Sequence, residues 1–320
     1  LRRDPKMITF AIHLFIDAWP SGWMKTIVDC ERNPKPAFFA YRDALTPLMV
    51  SLRGDRTAVF AGEELSIELF VCNDTHTVSD GHTLVLELMD STGNVVMGGE
   101  YDAKFGENSS FMQGDVCFTA PDVTARESYT LRAILTDGTG KVLHYTDESV
   151  EIFPHMAEEP GTAVSVSGEA FLARQEELTS VAASGKTIVI NGLEPGTYDI
   201  AGTEVKVKAC GMRALHFVSR KTGHPLVEGF TPYDFRLWYD TEKDRITPLL
   251  RRTFTADGMT PILTSGNSLT ASAWGQKLYP AFACAEMKCG NGKIILNEVD
   301  LDSHLANPVA RIFKNRLMRY

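Results

Sequence analysis

The sequence predicts a multi-domain α and β protein: the end of a (β/α)8 barrel, then an immunoglobulin-like β-sandwich, then an α/β layered domain. Three observations predict it. An apolar run, Ile8 to Ile16, leads through Asp17-Ala18-Trp19-Pro20 and a loop into a helix-like stretch, Ala37 to Leu45. Short alternating apolar runs then fill residues 48–154, and from residue 155 strand and helix signals alternate.

The first element, residues 1–47, reads as a buried strand, a loop and a helix. Thr46-Pro47 closes the helix, because the residue before a proline is pushed out of the helical region. A strand-loop-helix unit cannot bury its own faces. It is therefore expected to be the last strand and helix of a much larger domain, and the chain the back part of a longer protein.

Residues 48–154 form the second element. Leu48–Leu52, Leu65–Val71, Thr83–Leu88, Asp115–Phe118, Tyr129–Leu135 and Ser149–Phe153 are short and largely apolar. Asp80-Gly81, Ser91–Asn94 and Asp137–Gly140 are turn signals between them. About seven such strands in this span fit an immunoglobulin-like sandwich, without the Cys-Trp-Cys spacing of antibody domains. Asn73-Asp74-Thr75 and Asn108-Ser109-Ser110 match the glycosylation sequon, a short pattern that recurs by chance.

After a polar linker, residues 155–162, the third element occupies residues 155–320. Ala163–Ser167 and Lys186–Ile190 read as strands around a helix from Glu169 to Ala183. Thr260–Leu263 is a further strand. Ala281–Lys288 and Gly292–Glu298 read as a hairpin, with Asn291-Gly292 as its turn signal. Pro308 to Arg319 is an amphipathic helix. This alternation suggests an open α/β layered domain.

Composition narrows the function classes. The net charge of −9 argues against nonspecific binding to nucleic acid or an anionic membrane. No run approaches 18 consecutive apolar residues, so no transmembrane helix is expected. Cys30, Cys72, Cys117, Cys210, Cys284 and Cys289 are scattered without a CxxC pair, which favours buried thiols over a zinc site. Gly161, Gly168 and Gly185 make no phosphate-binding fingerprint, so no cofactor or metal is expected. Localisation, cytoplasmic or periplasmic, stays open.

Few residues invite chemistry. Trp19 and Trp23 flank a strand end, where catalytic residues of parallel barrels sit, and an indole there can stack on a sugar face or simply pack. Asp17 can hydrogen-bond a hydroxyl or cap its own loop. His13, within an apolar run, is a core histidine or a group facing the barrel mouth. Cys210 lacks the flanking glycines of a nucleophile elbow, although His216 and His304 are available as partners. Arg251-Arg252 and Lys243–Arg245 read as solvated surface. Phe230, Tyr233, Phe235, Trp238 and Tyr239 form an aromatic cluster that reads as local core, domain interface or carbohydrate patch.

With these residues laid out, the first fifty positions resemble glycoside hydrolase family 2, the β-galactosidase, β-mannosidase and β-glucuronidase group. Members carry Asn-Asp-x-Trp-Pro, a Trp-containing loop and a Pro-Lys-Pro-Ala-Tyr-Tyr-Ala-like helix. Here the counterparts are Ile16-Asp17-Ala18-Trp19-Pro20, then Trp23 and Asp29, then Pro34-Lys35-Pro36-Ala37-Phe38-Phe39-Ala40. Ile16 stands where the family has Asn. Thr46–Leu52 resembles the crossing into the sandwich of such enzymes. Gly290–Leu296 and Ala306–Ala310 resemble the last strand and helix of the flavodoxin-like, class I amidotransferase-like domain that ends some glycosidases. No cysteine matches the amidotransferase nucleophile, so that resemblance implies a structural or assembly role.

The family resemblance implies a retaining exo-β-glycosidase that uses two glutamates about 5 Å apart. In the family order both precede residue 1. The resemblance thus implies that this chain holds no catalytic residue, contributes Trp19 and Asp17 to the substrate-binding wall of a sugar pocket, and is inactive alone. A carbohydrate is the implied partner, through the missing barrel, and a homo-oligomer stands open. The alternatives are a non-catalytic carbohydrate-binding or assembly module, and an amidotransferase-like enzyme built on Cys210.

Overall fold

A computed structural model describes residues 2–4, 6, 11–20, 26–157, 160–209, 222–231, 233–266 and 280–320. Within residues 11–45 it overturns the barrel. Residues 8–10 of the expected strand lie outside the described residues. From 11 to 16 the chain makes only an isolated bridge, Ile16 to Val28. Leu14 has φ +64°, a left-handed conformation that interrupts an extended strand. Leu14 and Phe15 are exposed, whereas a barrel strand is buried on both faces. The helix is present as α1 (Pro36–Ala44), with Pro36 in its first turn, but it buries none of its residues.

The chain divides into two compact units, Leu1–Thr57 with Ala61–Pro154, and Ala58–Phe60 with His155–Tyr320. The strands of the first half of the chain are β1 (Leu48–Arg53), β2 (Ala58–Phe60), β3 (Glu64–Asn73), β4 (Thr83–Met89), β5 (Val95–Asp102), β6 (Ser109–Thr119), β7 (Glu127–Thr136) and β8 (Val142–Phe153). In the first unit β1, β3 and β6 form one antiparallel sheet, and β8, β7, β4 and β5 lie side by side in that order in another.

Period-2 alternation specifies these strands. Leu84, Leu86 and Leu88 of β4 are buried while their neighbours are half-exposed. They sit opposite Leu135, Ala133 and Leu131 of β7, also buried. In the other sheet Leu69 and Val71 of β3 face Leu52 and Val50 of β1, again buried. Each fully buried Leu or Val contributes roughly 1.5–3 kcal/mol. A one-residue slip would turn such a row to water, so the register is strongly fixed.

The second unit holds β9 (Val164–Ser167), α2 (Gly168–Ala173), α3 (Gln175–Ala183), β10 (Thr187–Asn191), β11 (Gly196–Ile200), β12 (Thr203–Ala209), β13 (Leu237–Asp240), β14 (Arg245–Pro248), β15 (Arg252–Ala256), β16 (Thr260–Gly266), β17 (Pro280–Cys289), β18 (Gly292–Asn297) and α4 (Pro308–Arg319). One mixed sheet runs β11-β12-β15-β17-β18-β10-β9, with β16 also on β17; β13 and β14 form a separate pair.

This is not the expected α/β flavodoxin-like domain, and the fold as a whole is mostly β. A parallel sheet needs a crossover, usually a helix, between successive strands. Among the described residues only the strands β9, β10 and β18 pair in parallel, and of these only β9 reaches β10 through helices. β11 and β12 are instead joined by the two residues Ala201-Gly202, with φ of +49° and +79°. Two positive φ values are those of a hairpin turn that matches strand twist, so the pair is antiparallel. The β17–β18 hairpin turns at Gly290-Asn291, one residue earlier than its signal, with Cys289 opposite Gly292.

The expected single helix from Glu169 to Ala183 is broken at Arg174, with φ −128°. Ser167 caps α2 by accepting from the Ala170 N–H, and Asn307 caps α4 by accepting from the Val309 N–H. Phe171, Leu178, Ile188, Ile190, Ile294 and Leu296 are among the buried residues of the core between α2, α3 and the sheet.

Candidate functional site

The described residues between Ala11 and Leu45 are held by backbone pairing rather than by a sheet. The Asp17 N–H donates to the Val28 carbonyl (3.1 Å), the Val28 N–H to the Phe15 carbonyl (3.1 Å), and the Lys35 N–H to the Ile27 carbonyl (2.9 Å). These bonds bring residues 15–17, 26–28 and 34–35 side by side. Asp29 closes the intervening turn. Its Oδ1 accepts from the N–H groups of Glu31 (2.9 Å) and Asn33 (2.7 Å). Bonds from Asn33, side chain first, hold that carboxyl below its usual value.

Asp17 lies at the centre of this arrangement and is buried. Its Oδ2 accepts from Lys35 Nζ at 2.7 Å, and its Oδ1 accepts from the Thr26 hydroxyl at 2.8 Å. Lys35 also contacts Thr26 Oγ1. The hydrogen bond from Lys35 outweighs the opposing effect of burial and, with Thr26, holds the Asp17 carboxyl below 3.8. The carboxylate is therefore charged at neutral pH, and both its oxygens are engaged. In the sequence Lys35 stands out only as part of the helix motif, and Thr26 not at all. An apolar-flanked Asp and a Lys eighteen residues on carry no local signal of pairing.

Trp19 stands two residues beyond this anchor and is 65% exposed, so its indole face is open to solvent. Trp23 lies outside the described residues. His13 is exposed and lines a cavity of about 550 Å³ with Arg2, Tyr41 and Met49. Arg2 fastens the far end of α1: Nη1 donates to the carbonyls of Ala44 (3.0 Å) and Thr46 (2.7 Å), and Nη2 to that of Pro47 (3.1 Å). A cation at a helix C-terminus satisfies carbonyls that have no intrahelical partner.

The aromatic cluster of residues 230–239 is mostly core, which removes Trp238 as a carbohydrate platform. Phe235 and Trp238 are fully buried, and the Trp238 indole N–H donates to the Asp234 carbonyl at 2.7 Å. Phe235 meets Phe313 of α4 edge-on at 5.5 Å. Tyr233 is the exception, 70% exposed with the Arg236 guanidinium over its ring.

Cys210 and His216 lie outside the described residues. His304 is fully buried between the Thr247 hydroxyl (2.8 Å) and the Asp300 carbonyl (2.6 Å), a structural position. Burial pushes the Cys284 thiol well up, which makes it a poor nucleophile. Among the described residues no three His, Cys, Asp or Glu side chains converge on a metal position. Asn73 of the first sequon is buried, its amide donating to the carbonyls of Thr77 and Gly106, so it is closed to glycosylation in the folded state. No helix among the described residues is long and apolar enough to cross a membrane.

No family model matches the chain, and no curated protein matches it in sequence. Solved structures overlap parts of it. A β-glucuronidase from glycoside hydrolase family 2 is similar over 45% of this chain and 19% of its own length, at 11% identity and a TM-score of 0.28. The β-glucuronidase of Parabacteroides merdae is similar over 44% of this chain and 21% of its own, at 10% identity and a TM-score of 0.24. The CARDB domain of the PF1109 protein of Pyrococcus furiosus, solved with di-metal ions, is similar over 34% of this chain and 94% of its own, at 13% identity and a TM-score of 0.26. The chain thus spans about a fifth of the length of the β-glucuronidases it overlaps. At these scores the overlaps define neither a family nor an activity.

Proposed function

We propose that this chain serves a retaining exo-β-glycosidase of the family 2 type, that it carries neither catalytic glutamate, and that Trp19 is its sugar-stacking platform. The observation that supports this reading most is the Asp17–Lys35 ion pair. It joins the two halves of the motif, Asp17-Ala18-Trp19-Pro20 and Pro34-Lys35-Pro36-Ala37, across the intervening sequence. Asp17 is accordingly a positioning residue, its oxygens used by Lys35 and Thr26, and the exposed indole beside it is the surface left for a ligand. A sugar ring presents a face of C–H bonds that fits an aromatic plane.

Fluorescence titration of the purified chain with 4-nitrophenyl β-glycosides tests the reading. The expected result is a saturable change that Trp19→Ala removes, with no release of nitrophenol. Turnover by the chain alone, or an unchanged titration in Trp19→Ala, would sink it.

A further inference from the structure

We propose that the carboxyl ends of β9, β10 and β18 form a binding pocket for a small organic carboxylate, held between the Arg251 guanidinium and the Glu298 carboxyl group. This site lies in the second unit and is independent of the glycosidase reading.

The three parallel strands end together at Ser167, Asn191 and Asn297. Ligands of open sheets bind beyond the carboxyl ends of parallel strands, where the side chains and loops diverge. A cavity of about 220 Å³ opens there, room for a small molecule. Its polar frame is committed to the protein. The Asn297 amide donates to Asn191 Oδ1 (2.9 Å) and to the Val299 carbonyl (3.0 Å), and the Asn191 amide donates to Ser165 Oγ (2.9 Å). Val189, Val299, Leu301 and Leu317 add apolar wall.

Glu298 follows β18 directly and lines this cavity, only 7% exposed. Its Oε1 accepts from the Leu193 N–H at 2.9 Å. No described residue is seen to bond its Oε2. Burial pushes the Glu298 carboxyl up to about 7, against the smaller opposing pulls of the Leu193 N–H and Arg252. Glu194 also faces it and pushes the same way as burial. Below neutrality Glu298 is therefore predominantly protonated, and no described residue is seen to accept that proton.

The cations around the pocket divide in two. Arg252 is paired with Glu194, and Lys314 with Asp302. Arg251 lines the same cavity, is exposed, and makes no ion pair or hydrogen bond with a described residue. The uncommitted groups are thus one cation and one acid proton. A carboxylate matches both, taking the guanidinium on its charge and the Glu298 O–H on an oxygen. A neutral polyol would leave Arg251 unused. A phosphate dianion would set a second negative charge against Asp300 and Asp302, which share the pocket.

The test is a titration of the isotope-labelled full chain with sodium lactate, read at the Leu193 and Gly192 amides by NMR. Saturable shifts are expected at pH 6, with affinity about tenfold weaker at pH 8 as Glu298 gives up its proton. Glu298→Gln, which keeps a donor, should bind equally at both pH values. Arg251→Met should weaken binding at least tenfold, and lactamide, the uncharged analogue, should shift neither amide. The proposal is overturned by silent amides at pH 6, by Arg251→Met binding like the native chain, by lactamide binding as well as lactate, or by a pH dependence that survives in Glu298→Gln.

Discussion

Each unit of the molecule contains a buried carboxylate and a notable tryptophan, and the two units use them in opposite ways. In the first, Asp17 is saturated by Lys35 and Thr26 and held in its charged form, while Trp19 is open to solvent. In the second, Glu298 is half-satisfied and held near neutrality, while Trp238 is locked in the core with its N–H engaged. Burial alone therefore does not tell an anchor from a reactive group. What decides is whether the surrounding chain supplies partners for every polar atom. A carboxylate with a cation at 2.7 Å is finished structure. One with a free oxygen facing a cavity has chemistry left.

Four substitutions break or sharpen this contrast, from the largest effect down. Trp238→Ala removes a fully buried indole packed on Phe235 and His304, and should cost about 3–5 kcal/mol in urea unfolding. A loss below about 1 kcal/mol would put Trp238 outside the core.

Glu298→Gln should stabilise the fold at pH 8, by a figure on the order of 2–3 kcal/mol, and far less at pH 4. The sign follows from the shift. The carboxyl moves from 4.5 to about 7 on folding, so the folded state binds the proton more tightly and native stability falls as pH rises between those values. Equal effects at both pH values would show an unshifted carboxyl.

Asp17→Asn acts in the reverse direction. A lowered carboxyl stabilises the fold above 3.8, and that contribution is lost as pH falls below it. The variant should exchange the amides of Asp17, Val28 and Lys35 faster than the native chain at pH 7, with no change in β4 or β7. Unchanged exchange would mean that the ion pair does not hold the loop. Trp19→Ala should leave stability within about 0.5 kcal/mol of the native chain, since the indole is 65% exposed. A larger loss would make Trp19 a packing residue.

What the sequence discloses follows the range of the interactions. The strands around Leu84–Leu88 and Leu131–Leu135 are legible because alternation is local and each strand carries its own pattern. α4 is legible from Asn307-Pro308 and its amphipathic stripe. The third element misled because apolar runs do not state strand direction. Ala201-Gly202 turns β11 back on itself where a layered α/β domain requires a crossover. The barrel reading failed at Leu14, whose left-handed backbone no hydrophobicity pattern reports.

The candidate sites show the same dependence on range. Asp17 and Trp19 stand out through a compact motif, and the partners of Asp17 lie within eighteen residues. Glu298 is invisible in sequence because its hydrogen-bond donor, Leu193, is 105 residues away. The nearby cation, Arg252, comes from another strand of the sheet. Trp238 reads as core, interface or carbohydrate patch alike until Phe235 and His304 are seen packed against it.

The most direct test of the contrast is a pH titration of the side-chain carboxyl carbons of Asp17 and Glu298 in one 13C-labelled sample. The expected result is a Glu298 midpoint near 7 and an Asp17 midpoint below 3.8. A Glu298 midpoint near the ordinary 4.5 would contradict the account, because the carboxyl would then be as well served by its surroundings as Asp17 is.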